Sequence, residues 1–438
     1  MPTNKILTPF QKFTQIESFS GILLMLATLI ALIWANSPFS DTYFSLWNSE
    51  VGFSFTGFEL YKPLLLWIND LLMAIFFFVI GLEIKREFLV GELNSTKKMV
   101  FPLVGALGGM LFPVLLFLFI NQNPQTASGW GVPMATDIAF ALAILKLLGD
   151  KVPMALKIFL TAFAIIDDMG AVLIIAIFYS GNIQLMMLIF ALALLAFLYL
   201  LSYKGIYSKF LLVLVGAVVW FLFLKSGIHP TIAGLLLAFS VPLRQKINTE
   251  TFIGSLNYIS EKIKTNIEPT KPVLSEAQIE AIDNLEDWTV KYQSPLQHLE
   301  HRLHDWVAYF IIPLFALANA GVVLNTDIPL DQSLILTIII CLVVGNSIGI
   351  TSVVFLAKKL KLITIPKEIN MKHILGVSFI AGVGFTMAIF IASLAFASRP
   401  EYLDSAKIGI LIGSLISGII GYLILARTAN KDISTKKI

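Results

Sequence analysis

Residues 159–178 read FLTAFAIIDDMGAVLIIAIF, an apolar run long enough to cross a bilayer as a helix. An acidic pair, Asp167 and Asp168, sits near its middle, with no basic residue close by in the chain to neutralise it. One carboxylate at the centre of a membrane helix costs about 2.5 to 3.5 kcal/mol. A third acid, Asp137, lies in the preceding apolar run, VPMATDIAFALAIL. Acids at membrane depth mark an ion or proton pathway.

The whole chain agrees with a membrane reading. Of its 438 residues 57% are apolar and 13% charged, against about a quarter charged in soluble proteins. An all-α, polytopic membrane protein is expected, built as one domain of about twelve transmembrane helices. Hydropathy places them near 18–36, 64–84, 100–120, 127–148, 154–179, 185–203, 209–224, 228–242, 305–324, 333–357, 374–397 and 405–427. The first run has full spanning length and no small-residue cleavage site, so it reads as a helix and not a signal peptide. The net charge of +3 gathers on no single face, so a nucleic-acid interface has no support. Cys341 stands alone, so no intrachain disulfide forms.

With a cytoplasmic N-terminus, the basic residues fall in inside segments apart from Lys62, Lys225, Arg399 and Lys407. This asymmetry orients the protein with both termini in the cytoplasm. Residues 1–17 then form a cytoplasmic N-terminal segment, 18–428 the transmembrane domain and 429–438 a cytoplasmic tail expected to lack structure. The one long polar stretch, 245–300, holds three prolines and the run SEAQIEAIDNLEDW. It reads as a cytoplasmic linker with one short amphipathic helix.

Two spans carry helix breakers. In the fourth, Gly129, Gly131 and Pro133 precede Thr136 and Asp137; in the eleventh, GVSFIAGVGFTMAIF places Gly376, Gly382 and Gly384 around the centre. Proline removes a helix donor and glycine weakens a helix, so both spans are expected to be interrupted. Irregular backbone at membrane depth is tolerated where it is buried in protein or lines a cavity. Each interrupted span is central to a group of three, spans three to five and ten to twelve, as in transporters with a site at the midplane.

The motifs ATDIAFAL, LTAFAIIDDMGAV, IGLEIKREFLVGEL, LEHRLHDWVAYFIIPLFALANAG and GVGFTMAIFIASLAF closely resemble, in order and over nearly the whole chain, the bacterial NhaA-type sodium/proton antiporter family. The resemblance implies inverted repeats with two broken helices, spans 4 and 11. It implies that Asp167 and Asp168 bind the transported sodium and the protons, with Asp137 and Thr136 at the crossing of the broken helices. Sodium is a hard cation that takes oxygen ligands, which carboxylates, hydroxyls and freed carbonyls supply. By resemblance, the protein exports sodium and lithium against inward protons across the bacterial inner membrane, for pH and sodium homeostasis. A homodimer is also implied, with no interface signal in the residues themselves.

The chain departs from the family at one place. Where relatives carry lysine in the tenth span, it reads VVGNSIGI, with Asn346. Asparagine donates hydrogen bonds but brings no charge. A site without that ammonium has one proton fewer to release, which argues against the electrogenic, two-protons-per-sodium exchange that the family implies.

Glu83, Lys85, Arg86 and Glu87 after span two, with Glu300, His301 and His304 before span nine, match the family's pH-sensing region. Two readings stand for them: a pH gate, since histidine changes charge between about pH 5 and 8, and an interfacial cluster of salt bridges. His229 before Pro230 reads as structural. Asp70 reads equally as a residue of the outer opening or of the bundle interior. Gly409, Gly413, Ser417 and Gly421 form a packing stripe.

No nucleotide motif such as GxxxxGK[ST] occurs, and no cofactor is expected, so the chain reads as a secondary transporter and not an enzyme. Two rivals remain: a sodium-coupled symporter of an organic solute, revealed by solute-dependent sodium uptake, and an uncoupled cation or proton channel, revealed by flux without coupling.

Overall fold

The computed structural model describes residues 9–435 except 56–57, 92, 246, 266–274 and 325–329. Helix α1 (Pro9–Ala35) leads through a bend of 113° into α2 (Ser40–Asn48). An antiparallel hairpin follows, β1 (Glu50–Phe55) and β2 (Phe58–Pro63), with Glu50 opposite Pro63. Then come α3 (Leu64–Leu89), α4 (Thr96–Ile120), a 3-10 segment (Ala127–Met134), α5 (Ile138–Leu147) and α6 (Met154–Phe178). Helices α7 (Leu185–Tyr203), α8 (Lys209–Ser226) and α9 (Thr231–Phe239) complete the first half.

The polar stretch is more ordered than the expected linker. Helices α10 (Thr249–Thr265) and α11 (Glu276–Tyr292) pack as a hairpin. Ile259 and Ala281 are buried, Phe252 stacks on Tyr292 at 4.2 Å and Lys262 pairs with Glu280 at 3.1 Å. Helix α12 (residues 295–319) follows, then α13 (Gln332–Lys359), α14 (Met371–Ala381), α15 (Phe385–Ala395) and α16 (Pro400–Thr435). The expected unstructured tail is thus helical as far as Thr435.

Among the described residues eight helices are long and apolar enough to cross a membrane, or ten when each bent pair counts as one span. Helix α9 and the apolar half of α12 stand where the eighth and ninth spans were expected. The nine residues of α9 rise only about 14 Å, short of the roughly 30 Å hydrocarbon core. Helix α9 packs along α3, so closely that a Cβ on Gly234 would lie 1.9 Å from the Ala74 carbonyl oxygen. Helices α4 and α13 also meet at glycines: a Cβ on Gly349 would stand 2.3 Å from the Gly108 carbonyl oxygen. The stripe on α16 lies against α13 and α14, with Gly409 near Ile335, Gly413 near Leu342 and Gly421 near Gly376.

Phe77, Phe163, Phe315 and Phe390 are fully buried in the bundle interior. Helices α7 and α8 expose Leu185, Met186, Phe190, Phe210 and Val213. A helix apolar on every side suits a lipid surround and not water. The chain is an integral, multi-pass helical membrane protein.

Candidate functional site

Both expected interruptions are present, and they touch. The fourth span leaves helical geometry between Met134 and Ile138, where Ala135 (φ −80°, ψ 137°) and Asp137 (φ −93°, ψ 102°) are extended. The eleventh breaks between Ala381 and Phe385, with a 44° bend from α14 to α15. The Asp137 amide donates to the Val383 carbonyl at 2.7 Å, and the Thr136 hydroxyl donates to the Ala381 carbonyl at 2.8 Å. Backbone groups freed by one break are therefore satisfied by the other, as a buried interior requires.

The crossing separates charge. Asp137 caps α5, accepting from the Phe140 amide at 3.0 Å through Oδ1. Its Oδ2 accepts from both the Thr386 amide, at 3.1 Å, and the Thr386 hydroxyl at the start of α15. One carboxylate thus answers the positive ends of two half-helices. The opposite, carbonyl-bearing ends lie at Met134 and Ala381. There Asp167, on α6, accepts from the Thr136 amide at 2.8 Å through Oδ2, while Asn346 donates through Nδ2 to the Pro133 carbonyl at 3.0 Å. Asn346 follows directly on a π-helical turn, Cys341–Gly345, within α13, a kind of distortion frequent at functional sites.

Thr136, Asp137, Asp167, Asp168 and Asn346 are each no more than 3% exposed. Direct bonds join Thr136 to Asp167, and the 133–136 stretch to Asn346, while Asp168 is buried next along α6. Consecutive helical residues point about 100° apart, so the two acids of the pair face different neighbours. Among the described residues no three His, Cys, Asp or Glu side chains gather as a metal cluster. A cation held here must draw on neutral oxygens as well.

Sequence reasoning missed Thr386, although it lies within GVGFTMAIFIASLAF. A neutral hydroxyl in a membrane helix carries no local signal, and its partner is 249 positions away. It equally missed Ser414, which accepts from the Phe385 amide at 3.2 Å, while Ser417, read only as part of a packing stripe, donates to the Phe379 carbonyl at 2.6 Å.

The second group of predicted residues gathers elsewhere. Arg86 donates from Nε to both oxygens of Glu300, at 2.9 and 3.0 Å, and its Nη1 lies 2.7 Å from Glu87. Glu83 contributes to the same field around Arg86. Lys85 turns away to the end of α9, donating to the Phe239 and Val241 carbonyls at 2.7 and 2.6 Å. Burial raises Glu300 above the usual carboxylate range, against the opposing pull of Arg86. Burial also pushes His304 down to about 4, against Asp305 and helped by His301 and Arg86. His304 is therefore neutral near pH 7.

Asp70 belongs to a third cluster. It pairs with Lys62 at 2.7 Å and lies 3.7 Å from His229, whose other ring nitrogen meets the Thr231 hydroxyl at 2.8 Å. Beside it, Asn69 and Asn319 exchange side-chain hydrogen bonds.

The family model described as Na+/H+ antiporter 1 matches residues 11–425. The chain is 47% identical over 427 residues to the Na+/H+ antiporter NhaA of Oleidesulfovibrio alaskensis, covering 97% of this chain and 95% of the relative. It is 44% identical to the Na+/H+ antiporter NhaA 1 of Saccharophagus degradans, over 96% and 91% of the two chains. Its identity to the Na+/H+ antiporter NhaA of Helicobacter pylori strain 26695 is 43%, over 96% of each chain. Identity of this depth along nearly the full length of both partners leaves one conclusion: the chain belongs to the NhaA-type Na+/H+ antiporter family.

Proposed function

We propose that this protein exchanges sodium, and lithium, for protons by alternating access across the bacterial inner membrane, with both termini in the cytoplasm, in the service of pH and sodium homeostasis. Membership of the antiporter family supports the exchange itself. One observation carries the choice of site: two interrupted helices meet in the buried interior, and Asp167 reaches the carbonyl end of that crossing. Asp167 and Asp168 are the groups at which sodium and protons compete. Asp137 has the different task of holding the positive helix ends together, and Thr136 ties Asp167 to the crossing. A site that binds either a sodium ion or protons, but not both, becomes an exchanger once it opens to one side at a time.

The Arg86 cluster is assigned the response to pH. Its carboxylates are better suited to that role than His304, because a histidine held neutral does not change charge near pH 7. A homodimer is proposed on family membership alone.

The test of the site is Asp168→Asn. The variant inserts and folds but loses sodium-driven proton movement in everted membrane vesicles, and retained exchange would refute the assignment.

A further inference from the structure

We infer that the side-chain carbonyl of Asn346 is a ligand of the transported cation, acting together with Asp167. This rests on the sodium/proton reading above and adds a residue to it.

The orientation of the amide is decided by its one partner. Nδ2 donates to the Pro133 carbonyl at 3.0 Å, and the flipped amide would set oxygen against oxygen. Oδ1 therefore points away from Pro133, and it is buried with no hydrogen-bond donor among the described residues. Asp167 presents the same situation. Its Oδ2 takes the Thr136 amide at 2.8 Å, while its Oδ1 is buried with no donor. Pro133 and Thr136 belong to one short stretch of the interrupted span, so both side chains with an unanswered oxygen are anchored on the same few residues.

A buried acceptor without a donor bears its full desolvation cost, and a carboxylate oxygen bears more than a neutral one. Two such oxygens beside the carbonyl ends of two half-helices form a region of negative potential. A small hard cation answers it, since sodium takes oxygen ligands, and carboxylate, amide and hydroxyl oxygens can each serve. The shortage of carboxylates around the crossing makes a neutral ligand necessary, because no three acidic, histidine or cysteine side chains converge among the described residues. Asn346, fully buried and with its Oδ1 accepting from no donor among the described residues, supplies one.

The experiment measures radioactive sodium binding to the purified full-length chain in detergent, with lithium as competitor. It compares wild type with Asn346→Ala, Asn346→Asp and Asp168→Asn. Alanine removes both the oxygen and the amide donor, whereas aspartate keeps an oxygen but cannot donate to Pro133. The inference predicts that Asn346→Ala weakens sodium binding at least about tenfold and alters the ratio of sodium to lithium affinity. It predicts that Asn346→Asp binds sodium at least as tightly as wild type.

A role confined to holding Pro133 predicts instead that aspartate is as damaging as alanine, and that result would overturn the inference. So would Asn346→Ala binding sodium within about twofold of wild type with an unchanged lithium ratio. Should the alanine variant fail to give a monodisperse, cooperatively melting protein, the aspartate variant decides alone. The two levels of the reading separate cleanly: loss of binding in Asp168→Asn with normal binding in Asn346→Ala removes only Asn346, whereas normal binding in Asp168→Asn removes the sodium site itself.

Discussion

Replacing Thr386 by valine deletes one hydroxyl from the crossing of the broken helices and leaves the side chain's shape nearly unchanged. In the native protein Asp137 accepts from the Phe140 amide on Oδ1, and from the Thr386 amide and hydroxyl on Oδ2. Valine leaves Oδ2 with the backbone amide alone, at 3.1 Å. A hydrogen bond to a charged group contributes about 1.5 to 3 kcal/mol. Asp137 is 2% exposed, so water does not readily replace the lost donor, and the upper half of that range, about 2 to 3 kcal/mol, is expected. Serine keeps the hydroxyl and gives up only a methyl group, which costs about 1 kcal/mol. Denaturant unfolding of the detergent-purified protein, followed by tryptophan fluorescence, compares the two. The reasoning is refuted when Thr386→Val unfolds at the wild-type midpoint, or when Thr386→Ser is as unstable as Thr386→Val.

Two other perturbations probe different parts of the molecule. Gly349→Ala forces a methyl group to within 2.3 Å of the Gly108 carbonyl oxygen, so α4 and α13 must separate at a cost of about 1 to 3 kcal/mol; an unchanged melting temperature would show that the helices do not meet there. His304 is held at about 4 in the fold, below its ordinary 6.5, so the unfolded chain binds more protons between those values. Its contribution to stability is complete above pH 6.5 and is lost as the pH falls toward 4. His304→Gln should flatten the melting-temperature profile in that window and leave the pH of activation in place, and a profile parallel to wild type would contradict this.

The acids were legible in the sequence because charge in an apolar span has no inconspicuous explanation, and Asp137, Asp167 and Asp168 needed no more than that. The interruptions were legible for a similar reason, since Pro133, Gly382 and Gly384 leave few options to a helix at depth. What joins these features was not. The bonds from Thr386 to Asp137 and from Asn346 to Pro133 link positions 249 and 213 apart, and a neutral polar side chain does not announce its partner. Of the hairpin, α11 was legible as the short amphipathic helix in SEAQIEAIDNLEDW, whereas α10 and its pairing with α11 were not, because contacts between the helices such as Phe252 on Tyr292 leave no mark in either segment alone. The β-hairpin from Glu50 to Pro63 and the π-helical turns at Ile68–Leu72 and Cys341–Gly345 likewise depend on packing that no local pattern records. Asp70 shows the limit from the other side: its charge was visible, but only the fold reveals Lys62 and His229 beside it.

The most direct measurement is proton movement driven by a sodium gradient in proteoliposomes containing the purified full-length chain, recorded with the membrane potential free and then clamped at zero. Obligatory competition at buried carboxylates predicts that protons move opposite to sodium under both conditions, and that Asp168→Asn abolishes the movement. Sodium crossing the membrane with no proton counterflow would contradict the account.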